Sequence, residues 1–447
     1  MKKLGLGVIG LILVSVIYYF TAGSEKLTNE MKTRVNTELT MIEQNGFAVQ
    51  EREVKEKKEH FVLTFDDPIK IVKFFKQQGS EMTLEDAQVL KGMKVGVDLK
   101  YLNDRYSALS ADIYPLQLPD ALTQAQGLKE GDKAWIVQLN DMLSQKALLI
   151  HVDFNKLLSS FNGYVKDMKE TFKVETLVNL TLKGLTFEGE IKDDRVTALS
   201  QKIETLSLTS GDDLKISLNK LTSQHSITGK SLYDTQSEYS LGQMQVSGKK
   251  GQYTFSIAVK ELKGSDTTSF TKGLASNKMK VKAKEITLRE NGEDTKLHDT
   301  SFVFNINNLD IASLEALETV DINNEIEINR LVQVLISKGI TMEVPEFAVN
   351  KLYYLGKDID GFSIASSFQI NKNANLALIR DNPFTAVDAI NTKTKIVLSE
   401  ALFTLIAQEP KMMMLAMIIQ PKIVNGKKVY ELELKDGKLS VNGQSLM

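Results

Sequence analysis

The chain has 447 residues, of which 42% are apolar and 25% charged, with a formal charge of −2 and a pI near 6.2. These are globular values with no positive excess to hold phosphates, which argues against a disordered chain and against a nucleic-acid partner. Cysteine is absent, so disulfides, thiolate metal sites, cysteine-ligated clusters, thiol nucleophiles and lipid attachment through cysteine are excluded.

The chain opens Met1-Lys2-Lys3, then runs from Leu4 to Ala22 without a charged side chain. As a helix that run spans about 28 Å, close to the hydrocarbon thickness of a bilayer. The two lysines favour the cytoplasmic side, which places everything after Ala22 outside. A membrane anchor is therefore expected over residues 1–24, with Leu4, Ile12 and Val16 in the apolar stretch and Tyr18, Tyr19 and Phe20 at the interface. The competing reading is a cleaved secretory signal ending at Thr21-Ala22-Gly23; the long apolar run and the bulky aromatics beside that site favour retention.

Residues 25–45 read as a polar juxtamembrane helix, with Leu27, Met31, Val35, Leu39 and Ile42 at helical spacing. It serves as a stalk or packs on the domain. Residues 46–173 mix elements. Phe61 to Phe65 is a strand; Asp66-Asp67-Pro68 caps a helix to about Gln78; Thr83 to Lys91 is a short helix and Val95 to Leu102 a strand. Phe154, Leu157, Leu158, Phe161 and Val165 predict an amphipathic helix over Asp153 to Phe172.

Over residues 174–309 the period changes to two, with Tyr253, Phe255, Ile257 and Val259 alternating in one stretch and Met279, Val281 and Ala283 in another. Turn residues at Gly211-Asp212-Asp213, Gly248 to Gly251 and Asn291-Gly292 divide a meander of long antiparallel strands. A weak repeat runs through it: an apolar residue is followed by apolar residues two and five positions on. Examples are Leu180/Leu182/Leu185, Ile216/Leu218/Leu221, Ile257/Val259/Leu262 and Val281/Ala283/Ile286. A step of two keeps a strand face and a step of three switches it, so each strand either carries a bulge near its middle or buries its two ends on opposite faces.

Residues 310–447 return to helices at Ile311 to Leu317, Ile326 to Lys338 and Ala386 to Gln408. They close on a hairpin at Asp436-Gly437 that pairs Leu434 with Leu439 and Leu432 with Val441. The expected fold class is α+β: an N-terminal transmembrane helix, then a long curved antiparallel sheet with packed helices.

The Lys-led N-terminus, the strand cadences Leu180–Leu185, Ile216–Leu221 and Tyr239–Gly248, and the ending Gly437–Gln444 together resemble the YdgA-like family of bacterial envelope proteins, a domain of unknown function. The resemblance implies an inner-membrane protein facing the periplasm. It implies no activity, cofactor or site residue.

Chemistry is sparse. The four histidines, His60, His151, His225 and His298, form no helical metal pair. His60 and His151 fall at expected element edges, where a surface role is usual. Asp66-Asp67 reads as a cap, Asp193-Asp194 and Asp212-Asp213 as turns, and Asp358-Ile359-Asp360-Gly361 as a turn lacking the ligand spacing of a calcium loop. Gly5, Gly7 and Gly10 match a dinucleotide fingerprint only inside the apolar run, without a strand before them. The Met-rich run is the sharpest candidate: Met412, Met413, Met414, Met417 and Ile418 fill a core or line a groove for an acyl chain or partner helix. No cofactor or metal is expected. The membrane is the first expected partner, then envelope proteins or lipid. The functional expectation is a non-enzymatic, membrane-anchored binding or scaffold module. A carrier of lipid-like ligands comes second and a hydrolase with a spatially assembled site third.

Overall fold

Among the described residues strand accounts for 63% and helix for 19%. The computed structural model of the protein describes residues 29–77, 82–102, 107–123, 130–173, 176–192, 195–211, 214–229, 231, 233–320, 324–374, 387–408 and 419–445. Two compact units divide the chain, Met1–Gln224 and His225–Met447.

Unit 1 begins with α1 (Asn29–Gln44), β1 (Phe47–Val54), β2 (Lys58–Phe65), α2 (Pro68–Gln77), α3 (Leu84–Leu90), β3 (Lys94–Tyr101) and β4 (Ser107–Gln117). It continues through α4 (Asp120–Thr123), α5 (Glu130–Ser144), β5 (Ile150–Asn155), β6 (Ser160–Val165), β7 (Met168–Lys173), β8 (Leu177–Lys183), β9 (Leu185–Lys192) and β10 (Arg195–Ser210). The strand β11 (Leu214–Ile227) spans the unit boundary. Strands β1 to β6 pair in sequence, all antiparallel. Then β6 pairs β9, β9 pairs β10, and β8 lies between β10 and β7.

One face of this sheet carries the row Phe61, Val97, Ile113, Ile150, Val165 and Leu185, each directly opposite the next. It joins Val35, Leu39 and Ile42 of α1, Ile71, Phe74 and Phe75 of α2, and Ala87 and Leu90 of α3 in a single buried core. The helices form because their termini are satisfied. Asp67 Oδ1 accepts from the amides of Ile69 and Lys70 ahead of α2. Thr83 and Asp86 make a reciprocal capping box on α3. So α1 is packed on the domain, not a free stalk.

Unit 2 holds β12 (Thr235–Lys250), β13 (Tyr253–Thr271), β14 (Leu274–Glu290), β15 (Glu293–Asp310), α6 (Ile311–Thr319), α7 (Glu325–Ser337), β16 (Thr341–Tyr354), β17 (Lys357–Ile370) and β18 (Ile390–Leu398). It ends with α8 (Glu400–Ile406), β19 (Lys422–Val424), β20 (Lys427–Lys435), β21 (Lys438–Val441) and β22 (Gln444–Ser445). Strands β12 to β18 pair in order, and β18 pairs β20. The last hairpin has the expected register, Leu434 opposite Leu439 and Leu432 opposite Val441, on a turn with Asp436 and Gly437 both at positive φ.

The two-then-three repeat is resolved as a shared kink, not as a bulge with an extra residue on one strand. In unit 2 the ladder skips one position at the same level on each strand from β12 to β17: Gly242, Glu261, Lys284, Asp299, Asn350 and Gly361. Glu261 and Asp299 are left-handed there, both at φ 49°. Because these strands yield together, the register is the same on both sides of the line and shifts only further along, as between Val303 and Asn305. Val259 and Leu262, or Ala283 and Ile286, therefore stay on one face. Unit 1 uses the same device at Gly184, where β8 gives way to β9. Its φ of +62° is open to glycine at little cost, and its amide donates to Asp167 Oδ1 at 2.8 Å. Leu182 and Leu185 on either side both reach the core.

Several expectations are corrected. The fold class is corrected: antiparallel sheet dominates the described residues, and the segment expected as an N-terminal transmembrane helix lies outside them. Among the described residues no helix is long and apolar enough to cross a membrane. The long antiparallel sheet itself stands. Leu4, Ile12, Val16, Tyr18, Tyr19 and Phe20 lie outside the described residues, as do Gly5, Gly7, Gly10, Asp193-Asp194 and Asp212-Asp213. Asp153 to Phe172 is not a helix: Phe154 on β5 and Phe161 on β6 face each other across a hairpin, and Leu158 in its turn is buried at φ +51°. A short hairpin thus returns apolar residues at intervals that mimic a helical stripe. Ala386 to Gln408 keeps helix only at α8; Ile390 to Leu398 is strand because it pairs on both sides, with β17 and β20. Asp358 to Gly361 belongs to strand β17, not a turn.

Candidate functional site

The face of the unit 1 sheet opposite that core carries, beside buried Val62 and Tyr114, two rows of polar side chains. Strand alternation places them, and the register aligns them. His60, Asp98, Asp112, His151, Tyr164, Thr186 and Lys202 each sit directly opposite the next across seven strands. Two residues along, a second row reads Lys100, Ser110, Asp153, Asn162, Glu188 and Ser200.

At the centre two carboxylates face each other. Directly opposed like charges destabilise a sheet, and here cations and donors offset the cost. Asp98 receives Lys146 Nζ at 2.9 Å and the Tyr114 hydroxyl at 2.9 Å, with His60 Nδ1 at 2.7 Å. Asp112 has His151 Nδ1 at 2.6 Å and Lys100 Nζ at 3.3 Å. The second nitrogen of His151, Nε2, lies 3.2 Å from Asp153. Partial burial works to raise the Asp98 carboxyl, but the bonds from Lys146, His60 and Tyr114 prevail and hold it below the usual carboxylate range. Burial, aided by Asp98, pushes the Tyr114 phenol up. Desolvation would lower Lys146, yet Tyr114 and Asp98 raise it; its Nζ also rests 3.7 Å from the Tyr114 ring centre.

This arrangement holds groups still. Nucleophilic catalysis needs a base within reach of a hydroxyl and a third group orienting the base. Both His151 nitrogens are already engaged by carboxylates. His225 lies 2.9 Å from Ser237 Oγ; His225 is exposed and Ser237 half-buried, with no orienting carboxylate among their described contacts. His298 sits 3.7 Å from Glu285. Among the described residues no three His, Asp or Glu side chains converge as a metal site. On the core side, Glu59 is buried with Arg52 at 2.7 Å and the Tyr101 hydroxyl at 2.6 Å; burial and the Glu59 carboxylate push the Tyr101 phenol far up, the signature of a structural pair.

In unit 2 the kink line leaves two unlike faces. The apolar face has the rows Leu241, Leu262, Ala283, Thr300, Val349, Phe362 and Leu398, and Met244, Val259, Ile286, Leu297, Leu352 and Ile359. The other face carries Lys260 on Glu285 and Lys284 on Glu261, each at 2.7 Å. Toward the β12–β13 and β14–β15 turns the apolar side chains open to solvent: Tyr253 is 44% exposed, Leu288 42% and Ile257 37%.

Met412, Met413, Met414, Met417 and Ile418 lie outside the described residues. The sequence reading put His60 and His151 at element edges; they stand within strands β2 and β5, joined through Asp98 and Asp112. The polar alternation of β2, β3, β4 and β5 was the available signal, but only register brings the four residues into one row. No family model, no curated protein and no solved structure matches the chain. The YdgA-like cadence therefore gains no support from a family model.

Proposed function

We propose that the protein is a non-enzymatic binding or scaffold module of the bacterial cell envelope, working on the outer side of the cytoplasmic membrane. The observation that carries the binding role is the apolar face of unit 2, which runs across seven strands and ends in half-exposed large side chains. Extended apolar surface on a folded protein is costly in water and marks an interaction surface. Helix α8 packs on β17 and β20, and Leu402 is buried there, so the face accepts helical cover. The setting draws on Lys2, Lys3 and the uncharged run from Leu4 to Ala22, and on the YdgA-like cadence.

A second reading, a carrier of lipid-like ligands, is favoured by one detail. The row from Met244 to Ile359 is aliphatic throughout and offers an acyl chain contact without hydrogen-bonding demands. One experiment separates the two. A photoreactive amino acid at Ile257 or Leu288, activated in intact cells, gives discrete protein adducts under the first reading and lipid adducts under the second. Lys282, on the polar face, is the control position. Adducts no more frequent at Ile257 and Leu288 than at Lys282 overturn both, and recovery of the chain from the cytoplasmic fraction overturns the setting.

A further inference from the structure

We infer that the polar face of unit 1 over β5, β6, β9 and β10 is a binding groove for a neutral oligosaccharide, with Tyr164 as its stacking platform. The groove has a volume of about 660 Å3 and runs from His151 and Tyr164 to Gln224, within the size range of small-molecule sites. Its floor is flat, rigid sheet.

Tyr164 is 45% exposed, unusual for a large ring in the middle of a strand set. It is held flat rather than loose: its ring stacks on the His151 imidazole at 4.9 Å and 28°, and Asp112 and Asp153 fix that imidazole at both nitrogens. A pre-ordered aromatic ring binds a partner face with little further loss of side-chain entropy. Beneath it the backbone is kept level by Gly163, where a Cβ would come within 2.2 Å of the His151 carbonyl oxygen and 2.5 Å of the Phe187 ring; the Phe187 ring occupies that space on the core side.

Around the ring stand short polar groups at sheet spacing. Thr186 and Lys202 continue the Tyr164 row; Asn162, Glu188 and Ser200 form the next. They offer an amide, a carboxylate, two hydroxyls and an ammonium, so donors and acceptors alternate. A pyranose ring presents an apolar C–H face to stack on an aromatic and a rim of hydroxyls that both donate and accept. This set matches that chemistry. It does not match the alternatives: Asp153 and Glu188 oppose a phosphate backbone, an acyl chain would strand the polar groups, and a peptide strand adds to a sheet edge, not to a face.

The test uses the full chain titrated with N-acetylglucosamine tetramer, cellotetraose and maltotetraose, with a sulfated heparin tetrasaccharide as the charged control. Calorimetry and saturation-transfer NMR are expected to show saturable binding of at least one neutral tetrasaccharide, with the strongest transfer to its ring C–H protons. Tyr164→Ala is expected to weaken that binding about tenfold, and Tyr164→Phe to retain it; Asn162→Ala and Glu188→Gln each weaken it by a smaller factor. All three positions are exposed, and unchanged thermal unfolding checks that the fold is kept. Absence of binding by all three neutral probes at millimolar concentration overturns the inference. So does a Tyr164→Ala chain that binds as well as the parent, or tighter binding of the sulfated probe. None of these outcomes bears on the apolar face of unit 2, so the two readings stand or fall separately.

Discussion

In unit 1 the apolar face of the sheet lies under helices, and Phe61, Val97, Val152 and Phe154 are fully buried or nearly so. In unit 2 the strands are longer, up to the 19 residues of β13, yet the core clusters among the described residues are small, such as Ile336, Ala374 and Ala389. Both units use the same two-then-three strand pattern with a shared kink to keep apolar residues on one side. What differs is the second layer. Unit 1 threads α1, α2 and α3 through its first strands, so its apolar residues leave water completely, each contributing about 1.5–3 kcal/mol. Unit 2 runs six long strands, β12 to β17, with α6 and α7 between β15 and β16 and the short α8 on β17 and β20, and its apolar face stays partly wet. The comparison teaches that a sheet pattern specifies an apolar face without specifying what covers it.

The largest effect that tests this contrast is a core truncation in each unit. Phe154→Ala is expected to cost about 3–5 kcal/mol in denaturant unfolding, whereas Phe302→Ala, at a half-buried position of the apolar row, is expected to cost about half as much. Equal losses would mean that the unit 2 face is as dry as the unit 1 core.

Next comes the charged row of unit 1. The Asp98 carboxyl is lower in the folded chain than when unfolded. Its contribution is therefore fully present above the ordinary carboxylate pKa, near 4, and is lost as pH falls through the lowered folded value. Asp98→Asn is expected to destabilise the chain by about 1–2 kcal/mol at pH 7, the lower part of the range for a charge-assisted bond because the side chain is partly exposed. The gap between variant and parent should close as pH falls below the lowered folded value. A gap that persists there would assign the loss to shape rather than charge.

The smallest effect concerns the kink line of unit 2. Asp299 holds φ +49° within strand β15, a conformation that costs a side-chain-bearing residue about 1 kcal/mol or more. Asp299→Gly is expected to raise the melting temperature by a few degrees and Asp299→Val to lower it by more. If valine is tolerated as well as glycine, the left-handed kink is not a feature of the folded sheet.

Much of the local structure was legible. The caps at Asp67 and Thr83, the strands around Phe61 and Val97, the helices α6 and α7 and the register of the final hairpin all rest on interactions within a few residues of chain. Phe154 and Phe161 misled because a tight hairpin and a helix turn place apolar residues at similar intervals, and only pairing partners tell them apart. Strands β16 to β18 were missed or read as helix in part because they are central, paired on both sides, and carry no local signal for that. The polar row was illegible for the same reason: His60 and His151 are 91 positions apart by their residue numbers, and nothing short-range says that they stand two strands from each other's carboxylate.

Alone, the order of amino acids settled the chemistry that cysteine would have provided, the sites of the helix caps and turns, and the two-then-three rhythm that demands either a bulge or a change of face. Tertiary structure chose neither as such but a kink shared by neighbouring strands, since strands that all kink at one level keep their ladder and their apolar side together. It also decided which polar residues meet, because periodicity fixes the face a side chain takes while register, set by the whole sheet, fixes its neighbour.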